Sequence, residues 1–259
     1  MRIARYAADD VIHYGVVELS GDGGKYPETA SDLSGDPIAG SVALTGVRRD
    51  LGDVRLLAPV LPRSKVIGVI KPPVGHEDKV SFFIKPNTSV IGPGEPIHIP
   101  SLSHATAAEA ELAVVISRIC RSVPPSRVGE VIFGYTAAND VTATDLKLDG
   151  APWGMMKSWD NFTPLGPWIM THLSVEEASN LDVSARVDGN TVTQANTKNL
   201  PHSIVELICH LSSVMTLLPS DVILTSAPGG PTPIEEGQTV SIEISEIGAL
   251  TNPVIKEGE

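Results

Sequence analysis

Ala107-Ala108-Glu109-Ala110-Glu111-Leu112-Ala113-Val114-Val115-Ile116-Ser117 is the stretch whose reading decides the fold. From Leu112 onward it is a short apolar run, β-branched at its end and free of Gly and Pro, the pattern of a buried strand. Strand side chains alternate between faces, so Glu109 and Glu111 point one way and Leu112, Val114 and Ile116 point the other, into a core. Two readings of the acidic face stand open. Charged residues are mostly exposed, which puts both glutamates on the solvated face of an edge strand. Adjacent carboxylates on an apolar strand also repel each other and resist desolvation. A hard divalent cation, Mg2+ or Mn2+, relieves both costs and keeps waters that a substrate can displace.

The surrounding chain is long enough for one large domain, or one domain with a small appendage, at 259 residues. With 42% hydrophobic and 19% charged residues, it can build a sizeable core and is not a disordered chain. Its net charge of −12, from 19 Lys+Arg against 31 Asp+Glu, argues against a nucleic-acid partner, which requires a basic stripe. Cys120 and Cys209 follow no metal or redox spacing and are expected as reduced core thiols. Met1 to Tyr6 lacks the apolar run of a signal peptide, and no apolar stretch is long enough to span a bilayer. No membrane partner and a cytoplasmic location are therefore expected.

Residues 1–60 read as a small β-rich N-terminal domain, with strands over Arg2–Tyr6 and Val11–Leu19 and a last extended piece at Val54–Pro59. The boundary to the main domain, residues 61–259, is set around Pro59–Pro62. Lys65–Ile70, Ser81–Pro86 and Ile97–Pro100 follow as short strands, with a polar loop from Lys71 to Lys79 and a turn at Val90–Gly94. Pro125–Ile132 is expected to be helical, with Pro near its start. An apolar strand from Phe133 then ends on Asn139-Asp140, a good place for a carboxylate to project into a site. Pro201–Leu217 has helical periodicity, with Ile204, Leu207, Ile208 and Leu211 on one face. Val222–Leu224 and Val240–Ile244 are the last strands. Short strands punctuated by Gly and Pro, with few helices, predict a mainly β roll or sandwich.

The order of these pieces resembles the fumarylacetoacetate hydrolase family. The likeness is carried by Glu109 to Ile116, Gly134-Tyr135-Thr136 through Asn139-Asp140-Val141, Lys157-Ser158-Trp159-Asp160 and Pro164-Leu165-Gly166-Pro167-Trp168. Pro219 to Thr225 and Ile247 to Pro253 extend it across nearly the whole chain. The resemblance implies a mainly β fold with α/β elements, a mixed β-roll/β-sandwich with a small β-rich N-terminal domain. It implies Mg2+ or Mn2+ held by Glu109, Glu111 and Asp140, a small oxo-acid or dicarbonyl substrate, and a homodimer. Lys157 matches the family's active-site lysine, which holds a substrate carboxylate or developing oxyanion. Asp160 either holds Lys157 in place or caps the turn.

Several departures bear on the reaction. Where the family carries Asn-Tyr followed by a water-activating histidine, this chain has Ile70-Lys71, and His76 with Glu77 lies farther along as a displaced candidate dyad. After Asp140, the family's Arg-Asp-hydrophobic-Gln reads Thr144-Asp145-Leu146-Lys147, so Lys147 is the candidate to replace the lost positive charge. The C-terminal Thr-Gly-Thr-Pro turn becomes Thr225-Ser226-Ala227-Pro228, which keeps Thr225 as a substrate contact and puts a side chain where Gly permitted close approach. The resemblance thus predicts a metal-dependent hydrolase or lyase cleaving a C–C bond in a compound such as an acylpyruvate. The departures bring forward a non-hydrolytic isomerase, hydratase or cyclase, and, from another class, a catalytically silent protein that keeps the metal.

Overall fold

The computed structural model of the chain describes residues 1–20, 27–72, 74–76, 79–148, 150 and 152–258. It is mainly β, as the short punctuated strands predict. The N-terminal strands β1 (Arg2–Ala8), β2 (Val11–Glu18), β3 (Thr29–Leu33) and β4 (Leu44–Asp50) form an antiparallel meander, and β5 (Arg55–Leu57) returns to pair with β1. Asp9 and Asp10 close the first hairpin with φ of 51° and 61°, the double left-handed geometry that matches the twist of a two-residue loop. Tyr6, fully buried, donates its hydroxyl hydrogen to Asp32 at 2.5 Å. The ring crosses Gly15, where a Cβ would lie 2.6 Å from that hydroxyl oxygen.

The main body adds β6 (Val66–Ile70), β7 (Ser81–Lys85), β8 (Val90–Ile91), β9 (Ile97–Ile99), β10 (Thr106–Ile116), β11 (Ile132–Asn139), β12 (Thr142–Ala143) and β13 (Thr163–Met170). After these come β14 (Asp182–Val187), β15 (Asn190–Asn196), β16 (Val222–Leu224), β17 (Pro231–Ile234), β18 (Thr239–Ile244) and β19 (Gly248–Lys256). One large sheet runs β4-β3-β2-β1-β13-β11-β10-β16-β6-β7, and a second runs β15-β14-β18-β19-β9. The first sheet crosses the expected boundary near residue 60 without a break, since Arg2 and Ile3 pair with Met170 and Ile169. Strands β14, β18 and β19 pack over β10, β11 and β13, so the two sheets make a sandwich.

Strand β10 is longer than its apolar half and lies inside the sheet, so the edge-strand reading of its glutamates does not hold. Its first half, Thr106–Glu109, pairs with β17, and Thr106 and Ala107 also pair with β12; its second half pairs with β11 on one side and β16 on the other. Both faces are covered. Ala108, Ala110, Leu112, Val114 and Ile116 enter the main core, while Ala113 and Val115 enter a second cluster with Val66, Leu165 and Leu224. By alternation Glu109 and Glu111 belong to that second face, at its open end.

Helices are few: α1 (Gly154–Lys157), α2 (Val175–Ala178) and α3 (Ile204–Val214). The expected helix over Pro201–Leu217 starts later, because Ser203 and Glu206 form a reciprocal capping box that fixes its first turn. Its face of Ile204, Leu207, Ile208 and Leu211 is buried as the periodicity requires. Pro125–Ile132 is only a 3-10 turn over Pro125–Glu130, too short of apolar partners to propagate. Cys120 and Cys209 are free thiols, half-buried against the core. Among the described residues, no helix is long and apolar enough to cross a membrane.

Asp221 ties the parallel pair β16–β6 together. Its carboxylate, fully buried, accepts from Lys65 Nζ at 2.6 Å, Lys65 N at 3.2 Å and Leu218 N at 2.8 Å. Asp221→Ala strands the two backbone donors, leaves Lys65 Nζ only the Thr216 carbonyl and the Ser64 hydroxyl, and is expected to cost about 2–4 kcal/mol, read as a lower midpoint in urea unfolding with an unchanged slope. An unaltered midpoint would refute the tie.

Candidate functional site

Glu109, Glu111 and Asp140 each bring a carboxylate oxygen within 4.8 Å of the others. The sheet register does this. Ala110 pairs with Asn139, so the residue after β11 arrives beside Glu109, and the Asp140 N–H donates to the Glu109 carbonyl at 3.0 Å. Asn139 accepts the Glu109 N–H on Oδ1 at 2.9 Å, which pins the crossing. The Thr142 hydroxyl lies 3.0 Å from Glu109 Oε1 and 2.9 Å from the Asp140 carbonyl.

Two buried lysines complete the cluster. Lys157, at the end of α1, donates to Asp140 Oδ2 at 2.6 Å and Glu109 Oε2 at 3.1 Å. Its Nζ also lies 5.3 Å from the centre of the Phe83 ring, which stacks on Trp153. Lys85, at the end of β7 and 0% exposed, donates to Asp140 Oδ1 at 2.5 Å and to the Phe162 carbonyl at 2.7 Å. The β6–β7 hairpin aims Phe83 and Lys85 inward together, two residues apart on one face. Gly68 is what lets the ring lie across β6, since a Cβ there would sit 2.1 Å from the Phe83 ring.

Burial and charge act on each group differently. Burial alone would raise the Asp140 carboxyl, but Lys157 and Lys85 outweigh it and hold it below the usual aspartate range. Burial likewise opposes the Lys157 ammonium, yet Asp140, Glu109 and Glu111 more than compensate and keep it charged. Lys85 goes down, because burial is the larger effect there. Burial first, then the charges of Asp140 and Glu109, drive Glu111 well above the usual glutamate range. Its one hydrogen-bond partner among the described residues is the Ser226 N–H, 2.8 Å from Oε2.

If all five groups are ionised, three carboxylates against two ammoniums leave one negative charge unbalanced, and it falls to Glu111, 1% exposed and with no ion-pair partner among the described residues. The donor set is all oxygen and converges. A hard dication fits it, and would give Glu111 the counter-charge that the protein itself does not supply.

The other candidates lie elsewhere. His76 is exposed on the loop after β6, with its carbonyl accepting from Lys79 N, and it does not join the acidic cluster. Glu77 lies outside the described residues. Lys147 is exposed at the end of a 3-10 turn over Thr144–Leu146. In that turn it is Asp145 that is engaged, accepting from Ser103 Oγ and His104 N. Asp160 is exposed and does not hold Lys157; Asp140 and Glu109 do. Thr225 is fully buried and gives its hydroxyl hydrogen to the Leu112 carbonyl at 2.9 Å. Two residues of the site escaped the sequence reading of function. The only trace of Lys85 was a lone cation closing an apolar strand before Pro86, and Ser226 was noted for its bulk, not for its contact with Glu111.

Comparison with known proteins converges on one family. The family model described as Fumarylacetoacetate (FAA) hydrolase C-terminal matches residues 63–255, and one described as Rv2993c-like, N-terminal matches residues 1–59. The structure of 5-carboxymethyl-2-hydroxymuconate delta-isomerase from Mycobacterium smegmatis is 42% identical, superposes with a TM-score of 0.90, and the match covers 99% of this chain and 100% of that one. Oxaloacetate tautomerase fahd2 of Xenopus laevis is 35% identical over 220 residues, 78% of this chain and 69% of its own. Maleylpyruvate hydrolase from Sphingobium sp. SYK-6, in complex with manganese(II) and pyruvate, is 28% identical with a TM-score of 0.77, over 99% of both chains.

Proposed function

The chain belongs to the fumarylacetoacetate hydrolase family, and from that premise we propose that it is a divalent-cation-dependent enzyme that enolises a small 2-oxo acid and returns it as a tautomer or double-bond isomer. The observation that carries this is the convergence of Glu109, Glu111 and Asp140 within 4.8 Å, with a charged lysine bonded to two of them. Those three residues would hold Mg2+ or Mn2+, which would supply Lewis-acid polarisation of a 2-oxo acid bound beside it. Lys157 contributes a fixed positive charge. Held by Asp140 and Glu109, it stays an ammonium, so it stabilises a developing enolate oxygen and does not serve as a base. Lys85 fixes Asp140 from the opposite side.

Isomerisation ranks ahead of C–C hydrolysis because it only passes the C3 proton to solvent water and takes one back at the other end of the enolate, whereas hydrolysis must also add an activated water across the broken C–C bond, and His76 stands outside the cluster. Likeness to the isomerase and to the tautomerase supports the same order. Cleavage of an acylpyruvate is the second reading, favoured by the likeness to maleylpyruvate hydrolase; decarboxylation shares the enolate and needs no water. A homodimer, a cytoplasmic location and an N-terminal unit ending near residue 60 complete the proposal.

The test is proton NMR of oxaloacetate and of an acylpyruvate in D2O, with Mg2+ or with chelator. The proposal expects cation-dependent loss of the C3 proton signal without formation of two acids or CO2. His76→Ala should change that exchange less than about twofold, whereas removal of a general base would cost about 100-fold or more. No cation-dependent exchange or turnover of either compound would sink the reading in favour of a silent binding protein.

A further inference from the structure

Ser226 occupies a backbone conformation that costs a serine energy, beside the carboxylate that most lacks partners. The chain leaves β16 where its neighbours on β10 are Ala113–Val115 and rejoins β10 through β17 at Thr106–Glu109. Residues 225–230 therefore arch past the part of β10 that bears Glu111. At the start of the arch Ser226 has a φ of +81°. An L-residue pays roughly 1–2 kcal/mol for this region, and glycine does not.

Among the described residues, eight non-glycine residues have positive φ, and of these only Ser220 and Ser226 are buried. Ser226 alone of that pair contacts the acidic cluster, through its N–H to Glu111. Its hydroxyl is three covalent bonds from that nitrogen. It has no hydrogen-bond partner among the described residues, and it is not one of the buried unpaired oxygens sealed from solvent. Neighbouring hydroxyls are already committed: Thr225 to the Leu112 carbonyl, and Thr142 to Glu109 and the Asp140 carbonyl. A strained backbone therefore holds an unspent donor three bonds from the nitrogen that meets Glu111.

We propose that Ser226 is a substrate-binding residue, its hydroxyl donating to an oxygen of the 2-oxo acid bound at Glu109, Glu111 and Asp140. This assignment rests on the reading of that site given above. It transfers to Ser226 the contact that the sequence offered to Thr225, whose hydroxyl is turned into the sheet.

Two variants separate the hydroxyl from the strain. Ser226→Ala deletes the hydroxyl and keeps the strained Cβ, and Ser226→Gly deletes both. Calorimetric titration of oxalate, a planar chelating mimic of the enolate, is run on each protein saturated with Mn2+, beside titration of Mn2+ alone. Both variants should bind oxalate about tenfold more weakly, the loss of one hydrogen bond to an anion. Both should bind Mn2+ alone within about twofold of the natural chain. Ser226→Gly should also melt above Ser226→Ala by about 2–6 °C. Full oxalate affinity in Ser226→Gly, together with a raised melting temperature, would reduce Ser226 to a strained turn residue and overturn the assignment alone. Failure of the natural chain to bind oxalate with Mn2+ present would overturn the reading of the site, and this assignment with it.

Discussion

Asp140→Asn is expected to remove divalent-cation binding and to destabilise the protein by about 3–5 kcal/mol, the usual consequence of breaking a buried ion pair from one side. The substitution keeps shape and removes only charge. Both Asp140 oxygens are engaged by ammoniums, Oδ1 by Lys85 and Oδ2 by Lys157, and all three side chains are almost sealed from water. Lys157 retains Glu109, at 3.1 Å. Lys85 retains only neutral carbonyls, those of Phe162 and Val141. An amide also puts an NH2 where one carboxylate oxygen was, so one of the two ammoniums faces a donor and only the other keeps a side-chain oxygen to bond.

The melting temperature should therefore fall by about 10 °C or more. The loss should shrink as pH is raised. Lys85 is already pushed down by burial, and a base with a depressed folded-state pKa gains relative stability as pH climbs toward its unfolded value. Mn2+ affinity, followed by the loss of the free-ion paramagnetic resonance signal, should drop at least about 100-fold. A variant that melts with the natural chain, at any pH, would mean the two lysines do not depend on Asp140.

The strand at the centre was legible because its chemistry is local. Apolar alternation, β-branching and the absence of Gly or Pro define Leu112–Ile116 from sequence alone, and the period of two puts Glu109 and Glu111 on one face. What flanks that strand was not legible. Strands β12 and β17 pair with Thr106–Glu109 from far along the chain, and no local pattern announces a partner 30 or more residues away. Lys85 was missed for the same reason, since its meaning depends on Asp140 across the fold. Of the two roles the sequence left open for Asp160, holding Lys157 falls instead to Asp140 and Glu109, which nearness in sequence could not reveal. The capping box at Ser203 was visible in the letters yet went unused, so α3 was drawn too long at its start. The substitution at Ser226 was visible too, but only the backbone angle and the open hydroxyl give it a role.

Glu111→Gln should act in the opposite direction to Asp140→Asn on stability and in the same direction on cation binding. Glu111 is buried beside two other carboxylates, with one backbone donor and no ammonium bonded to it. Its folded-state pKa is raised, by burial first and then by Asp140 and Glu109. A raised carboxyl contributes stability that is present in full below its unfolded pKa and is lost as pH rises through the folded value. At neutral pH the cation-free protein therefore carries a cost at Glu111, which must either be ionised without a counter-charge of its own or hold a proton that the unfolded chain has released. Glutamine is neutral at every pH, and its amide oxygen can still accept the Ser226 N–H.

In chelator, the variant should melt about 2–6 °C above the natural chain at neutral pH, and this gap should close as pH falls and Glu111 takes up a proton. With Mn2+ added the order reverses, because the natural chain gains counter-charge and the variant has lost one of three anionic ligands. Its Mn2+ affinity should be lower by about 100-fold or more. A variant less stable than the natural chain in chelator at neutral pH would show that Glu111 is already compensated without a cation, and the charge argument for a metal site would fall.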